Sequence, residues 1–326
     1  MSLYLAIDAG GTSTRCLLAD DTRVLASAST GTVKLMRVSE ADATARLRAV
    51  LAEVASAAGV PLSSVTRTCF GLAGSSSASV RNWATQTIAS AVAGELILCG
   101  DEEIALDAAF AGGPGILLIA GTGSNAIGRS LAGALFRAGG WGPVLGDEGS
   151  GYWIGLEAIR AALRAQDRAW DETSGNAQSA PSILLREIER HWCLGSLGDL
   201  VALANLRAPS ETAAPPDFAS LAPVVARCAE QGDLLAAGIL ARAGEELAGL
   251  VALVYRKMTE APAAAGATEQ SQGTEIPVAF TGSILTHISP VRQAFLAHLA
   301  TSVPSVRVRD SAADPLDGAL WRARNA

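Results

Sequence analysis

Lysine is almost missing from this chain: two of 326 residues, Lys34 and Lys257, so that arginine supplies nearly all of the 25 basic residues set against 32 acidic ones. The formal net charge is −7. No Lys/Arg run or basic stripe exists to follow a phosphate backbone, which excludes nucleic acid as an expected partner. Histidine is as scarce: His191, His287 and His298 show neither HExxH spacing nor a Cys/His cluster. That leaves little from which to build a zinc site or a histidine-based nucleophilic triad. The five cysteines, Cys16, Cys69, Cys99, Cys193 and Cys228, form no CxxC pair, and three of them lie in apolar, strand-like stretches, so they read as buried reduced thiols. Long apolar runs are missing too. Residues 116–120 and 250–255 fall far short of the roughly 18 to 20 a transmembrane helix needs. The N-terminus, Met1-Ser2-Leu3-Tyr4-Leu5-Ala6-Ile7-Asp8, meets an acid before a signal-peptide core could develop. The expectation is a cytosolic protein with no membrane partner.

What is present is small and apolar. There are 64 alanines and 33 glycines, 49% of the residues are hydrophobic and only 17% are charged. Such a chain buries enough apolar surface to offset its ordering entropy, which excludes disorder, and its length predicts about two domains. Alanine also accounts for the positive mean hydropathy of +0.29 without a membrane.

Residues 3–7 alternate as a strand and run into Asp8-Ala9-Gly10-Gly11-Thr12-Ser13-Thr14; residues 15–20 and 24–28 read as two further strands of a meander. Residues 41–59 carry helical spacing stopped by Gly59-Val60-Pro61. A strand at 68–74, a helix at 80–93 and a strand at 95–101 complete a β-β-β-α-β-α-β order that ends on Asp101. After Gly112-Gly113-Pro114-Gly115 the same grammar restarts: strand 116–120, the turn Gly121-Thr122-Gly123-Ser124-Asn125, then strands 126–129 and 133–138. Helices are predicted over 152–167, 181–192, 222–231, 234–257 and 314–324, and a third strand-into-glycine unit is Phe280-Thr281-Gly282-Ser283. The repeat points to a duplicated lobe. Segments 207–217 and 259–275 are polar, turn-rich loops.

Three strands that each end in glycines with adjacent hydroxyls expose several backbone N–H groups with no Cβ in the way, which suits an oligophosphate. Tight hairpins use the same residues, but three such turns in two similar halves favour the phosphate cradle. The loops match neither a Walker A motif nor a dinucleotide fingerprint. Asp8 beside the first turn is a carboxylate suited to hydrated Mg²⁺ and is the metal candidate.

These residues carry a resemblance. Together with Gly139-Gly140-Trp141-Gly142, Gly146-Asp147-Glu148-Gly149-Ser150 and the closing Asp317-Gly318-Ala319, they are similar to the N-acetylglucosamine kinase group of the BadF/BcrA-type ATPase family, within the actin, heat-shock chaperone and sugar kinase superfamily. The resemblance covers essentially the whole chain and is most specific over 121–153. It implies an α/β fold of two ribonuclease H-like lobes, 1–112 completed by 311–326 and 113–310 with helical insertions, with the active site in the cleft between them. It implies ATP and Mg²⁺ as cofactors, an amino sugar as substrate and a homodimer. Gly10, Gly11, Thr12, Ser13 and Thr14 would form the first phosphate loop and Gly121, Thr122, Gly123 and Ser124 the second, with Gly282 and Ser283 near the adenosine. Asp101 falls where the family places the base that takes the proton from the acceptor hydroxyl; read alone, it is also an acidic helix start, because Glu102 and Glu103 follow. Ser124, Asn125, Gly140, Trp141 and Asp147 would line the sugar, the alternatives being a core aromatic for Trp141 and a turn cap for Asp147.

The chain departs from the family pattern twice. Relatives acting on N-acetylglucosamine commonly carry Asn in the loop after the third strand, which here reads Ser29-Thr30-Gly31-Thr32-Val33-Lys34-Leu35-Met36, and a Ser near the strand at 68–74 is replaced by Ala73. Lys34 is therefore a candidate substrate contact for a carboxylate such as a lactyl ether, or a solvated lysine. The leading expectation is transfer of the γ-phosphoryl group of ATP to the 6-hydroxyl of N-acetylglucosamine. Glucosamine, N-acetylmuramic acid or glucose are alternative acceptors, and an activator ATPase of a partner reductase is an alternative of another class.

Overall fold

The computed structural model describes residues 2–168, 182–205, 216–260, 275–309 and 314–326. Ten strands and eleven helices lie within them. Strand β1 (Tyr4–Ala9) turns through Gly10 and Gly11 into β2 (Ser13–Ala19), which pairs with it antiparallel, and β3 (Val24–Gly31) continues the meander. Helix α1 (Glu40–Ala58) is bounded as its sequence requires. The Ser39 side chain accepts from the Asp42 amide, and Gly59 closes the helix in the left-handed region at φ 67°. Strand β4 (Arg67–Leu72), helix α2 (Ala78–Ala89), strand β5 (Glu95–Cys99) and helix α3 (Asp101–Phe110) follow. The sheet order is β3-β2-β1-β4-β5, with β4 parallel to both β1 and β5.

Alternation along β1 sends Leu5, Ile7 and Ala9 to one face, where they pack with Leu47, Val50, Leu51 and Val54 of α1 and Trp83, Ala84 and Ile88 of α2. Ala6 points to the other face, against Ile104 of α3 and Leu316, Ala319 and Leu320 of α11 (Pro315–Asn325). The sheet is thus covered on both faces, and the second cover comes from a helix more than 200 residues further along the chain. α11 passes so close to α3 that a Cβ on Gly318 would lie 1.8 Å from the Ile104 carbonyl oxygen.

The second half repeats the arrangement. Strands β6 (Gly115–Ala120), β7 (Ser124–Arg129) and β8 (Leu135–Gly139) form a sheet with β9 (Ile276–Thr281) and β10 (Val306–Val308) in the order β10-β9-β6-β7-β8. Numbered from its own first strand, this is the order of the first sheet, so the duplication read from the glycine turns is a structural one. Between β8 and β9 run α4 (Gly151–Arg168), α5 (Ile183–His191), α6 (Leu197–Ala204), α7 (Ala222–Glu230) and the long α8 (Leu234–Glu260). α9 (Ser283–His287) and α10 (Ser289–Ser302) lie between β9 and β10. Strand β5 stops at Cys99, two residues earlier than expected, because Gly100 caps α3 and Asp101 opens it.

The chain forms two compact units, Met1–Leu117 with Ile127–Leu135 and Asp310–Ala326, and Leu118–Ala126 with Phe136–Arg309. The polar loops 207–217 and 259–275 lie, apart from their ends, outside the described residues. Among the described residues no helix is long and apolar enough to cross a membrane.

Candidate functional site

In the first unit the turn between β1 and β2 is closed by the Gly10 amide donating to the Ser13 carbonyl at 3.1 Å. Thr12 and Ser13 are exposed at its tip. Thr14, one step further along β2, points the other way: it is wholly buried, and its Oγ1 has no partner among the described residues. The loop after β3 lies against this turn, with Thr32 Oγ1 donating to the Gly10 carbonyl at 3.0 Å and Arg37 donating to the Gly11 carbonyl at 3.0 Å. Lys34 sits half-buried on that loop. Val33, on the same loop, is fully buried in the core.

Asp8 is opposite Arg15 in the β1–β2 register. Its Oδ2 accepts from Arg15 at 2.7 Å, and the same guanidinium binds Asp314, the N-cap of α11, through 2.7 and 2.9 Å bonds. Burial raises the Asp8 carboxyl above its usual range in spite of Arg15. Burial pushes Asp314 the same way, but its bonds to Arg15 and to the Leu316 amide prevail and hold it low. Among the described residues Asp8 Oδ1 carries no hydrogen bond, and no group of three or more His, Cys, Asp or Glu could hold a metal. Mg²⁺ is usually held by one or two protein carboxylates, several waters and the substrate's phosphates. One free carboxylate oxygen beside a glycine turn fits that habit.

Asp101 opens α3 at the end of β5. Burial, then a hydrogen bond shared with Glu102, then the charges of Glu102 and Asp8, raise its carboxyl from 3.8 to about 7. It is the first of three acids in the opening turn of α3, as the helix-start reading has it, and its carboxyl titrates near neutrality.

In the second unit the predicted residues interlock. The Gly151 amide donates to the Gly121 carbonyl at 2.8 Å and the Tyr152 amide to the Thr122 carbonyl at 3.3 Å. Ser124 Oγ donates to the Glu148 carbonyl at 2.7 Å, and the Gly140 amide to the Ser124 carbonyl at 3.0 Å. A Cβ on Gly123 would stand 2.7 Å from a carboxylate oxygen of Asp147, and one on Gly140 would stand 3.2 Å from the Asn125 Cβ. Asp147 is buried and takes a positive φ of 62°, a strained backbone for a non-glycine residue in a loop that the sequence marks with glycines on both sides. Trp141 is 74% exposed, which removes the core-aromatic reading.

Gly282, at φ 100°, abuts the end of β6: a Cβ there would lie 2.3 Å from the Ala120 carbonyl oxygen. Beside it a cavity of about 300 Å³ is lined by Gly121, Thr122, Gly151, Ser283, Ile284 and Ile288, with Asp217, Ser220 and His287 as further polar groups. Sequence reasoning found the glycine rim of this cavity and missed the Asp217–Ser220 side, which sits at the edge of a featureless polar loop. It also missed Arg15 and Asp314, whose pairing spans 299 residues.

A sequence profile of the BadF/BadG/BcrA/BcrD ATPase family matches residues 5–321. The chain belongs to that family. It is 28% identical over 327 residues to the N-acetylmuramic acid/N-acetylglucosamine kinase of Clostridium acetobutylicum, covering 100% of this chain and 99% of that one. It is 27% identical over 248 residues to the N-acetyl-D-glucosamine kinase of Dictyostelium discoideum, covering 76% of this chain and 70% of the other. Among solved structures it is similar to a Chromobacterium violaceum protein provisionally described as an N-acetylglucosamine kinase, with TM-score 0.70, 27% identity and 98% of each chain covered. The ROK hexokinase of Thermus thermophilus, at TM-score 0.56, 16% identity and 98% of each chain, shares the fold. The two five-stranded sheets are those of the actin-like ATPase and sugar kinase structures.

Proposed function

We propose that this family member is an ATP-dependent kinase that phosphorylates the 6-hydroxyl of an amino sugar, N-acetylglucosamine foremost. The observation that carries this reading is Asp101, a carboxyl raised to about 7 in the same unit as Asp8 and the Gly10–Gly11 turn. The names of the relatives at 28% and 27% identity support it. Glycine at 11 and 121 supports phosphate as the ligand: neither residue has positive φ, and among the described residues nothing occupies the space a Cβ would fill. The fold does not demand glycine there, whereas a phosphate approaching the backbone does.

In the proposed reaction Asp101 accepts the proton of the sugar 6-hydroxyl as that oxygen bonds to the γ-phosphorus, while the bond from phosphorus to the β,γ-bridging oxygen breaks and ADP leaves. In the first unit Thr12, Ser13 and the amides of their turn are the phosphate ligands; in the second unit Thr122 and the amides of its turn are, and the cavity beside Gly282 and Ser283 takes the nucleoside. Asn125, Gly140, Trp141 and Asp147 orient the sugar. Mg²⁺, entering with ATP and held in part by Asp8, supplies neutralisation of phosphate charge. In these terms residues 1–112 with 311–326 carry the base and residues 113–310 carry the second phosphate turn. The proposal includes a homodimer, which sedimentation would read.

A coupled ADP-release assay across a sugar panel tests the reading. N-acetylglucosamine is expected to stimulate turnover, and Asp101→Asn to lower kcat by about 10²- to 10⁴-fold with ATP binding retained. No stimulation by any hexosamine refutes the kinase assignment, and an iron-containing, coloured protein moves it to the reductase activators. N-Acetylmuramic acid belongs in the panel because the Clostridium acetobutylicum relative bears its name and because Lys34 stands on the loop that covers Gly10 and Gly11. Lys34→Ala should weaken that substrate more than its uncharged analogue.

A further inference from the structure

Asp101 is the first residue of the ten-residue helix α3, so its place follows that helix. Within two turns of it α3 carries a buried charged cluster. Asp107 of α3 is 1% exposed and accepts from two guanidiniums: Arg129 Nη2 at the end of β7, 2.6 Å away, and Arg322 Nε of α11, 2.5 Å away. Arg322 also donates from Nη1 to Glu103, one turn nearer Asp101, at 3.2 Å. Its fork therefore grips α3 at two successive turns. The grip is backed by a backbone contact, because Gly318, one turn earlier on α11, lies directly on the Ile104 carbonyl and the Ala108 amide.

A buried ion pair adds little net stability over apolar side chains of the same volume, because desolvation consumes most of the attraction. Its directional bonds do define one rotation and one axial position for the helix that carries them. We infer that Arg322 and Asp107 are positioning residues for the phosphoryl-transfer step: the Arg322 fork on Glu103 and Asp107, with Arg129 as the second ligand of Asp107, sets the register of α3 and thereby the place of Asp101 at its head. The inference rests on Asp101 being the base.

The test is steady-state kinetics of the full chain with ATP and N-acetylglucosamine for Arg322→Met, Arg322→Lys and Glu103→Gln, alongside thermal unfolding of each. The expected result is a kcat about tenfold lower for Arg322→Met with both KM values within about twofold of wild type, since a base displaced by a fraction of an ångström loses rate rather than binding. Arg322→Lys, which keeps the charge and loses the fork, should recover part of the loss. Glu103→Gln, which leaves the Asp107 pair intact, should lower kcat by about threefold. A kcat within twofold of wild type in both Arg322→Met and Glu103→Gln, with only the unfolding midpoint reduced, overturns the inference and leaves the cluster structural. If Arg322→Met does not fold, Glu103→Gln and Arg322→Lys decide. A wild type with no sugar-stimulated turnover removes the kinase reading itself, and this inference with it; unchanged variants of an active wild type remove the inference alone.

Discussion

The raised carboxyl of Asp101 predicts the shape of the pH profile. With Asp101 as the proposed base, a carboxyl raised to about 7 should make kcat/KM rise with pH between about 6 and 8. Stability runs in the opposite direction. The folded carboxyl titrates above its ordinary 3.8, so its contribution to folding is present in full below about 4 and is lost as the pH rises through 7. The enzyme is therefore expected to gain rate while losing a little stability over the same window. Glu102 offers the decisive variant, because its hydrogen bond and its charge are the causes of the shift that come after burial. Two unit charges about 4 Å apart cost about 1 kcal/mol even when screened as in bulk water, which is about 0.7 of a pH unit. Glu102→Gln should move the acid limb downward by at least that much while leaving the plateau rate in place. The assay is the coupled ADP release between pH 5.5 and 8.5, with the coupling enzymes shown not to limit. A flat wild-type profile over that range, or a limb that Glu102→Gln leaves where it was, refutes the account of Asp101.

Two further changes probe other parts of the structure. Gly282→Ala would place a methyl 2.3 Å from the Ala120 carbonyl on a backbone at φ 100°, shifting the rim of the cavity proposed for the nucleoside; the KM for ATP should rise at least about tenfold while the KM for the sugar stays put, and an unchanged ATP KM would detach that cavity from the nucleotide. Gly318→Ala drives a methyl into the backbone of α3 and should cost about 3 kcal/mol, lowering the unfolding midpoint by roughly 6 to 12 °C; calorimetry showing no drop would mean that α11 can slide.

The parts of this protein legible in its sequence are those governed by local chemistry. Gly59 announces the end of α1, and Asp8-Ala9-Gly10-Gly11 and Gly121-Thr122-Gly123 announce strand ends that turn tightly. The duplicated sheet order follows from that repeated grammar. What stayed hidden has no local signature. α10 contacts α8 so closely that Gly244 of α8 lies on the Val291 carbonyl, a fact about a partner some 47 residues away and not about its own spacing. β10 has three residues and sits at a sheet edge, too short to show alternation. Asp107 reads as one more helical acid until Arg129 and Arg322 are brought to it, and Gly318 reads as a weak helix former until α3 is seen beneath it. Thr14 shows the limit of motif reading, since the hydroxyls of one turn need not face the same way: Ser13 is exposed and Thr14 is wholly buried.

The long detour between α3 and α11 has a consequence for how the protein is made. The first sheet, with α1 and α2 already packed on one face, leaves the ribosome about 205 residues before the helix that covers its other face. At typical synthesis rates of about 5 to 20 residues per second that interval lasts roughly 10 to 40 s. During it Ala6, Leu17, Cys69 and Ile104 await their cover and Asp107 awaits one of its two cations. An emerging chain in that state is a natural client for holding factors, and slowing translation over residues 120–310 should raise its loss to aggregation or proteolysis without altering a single residue of the finished enzyme.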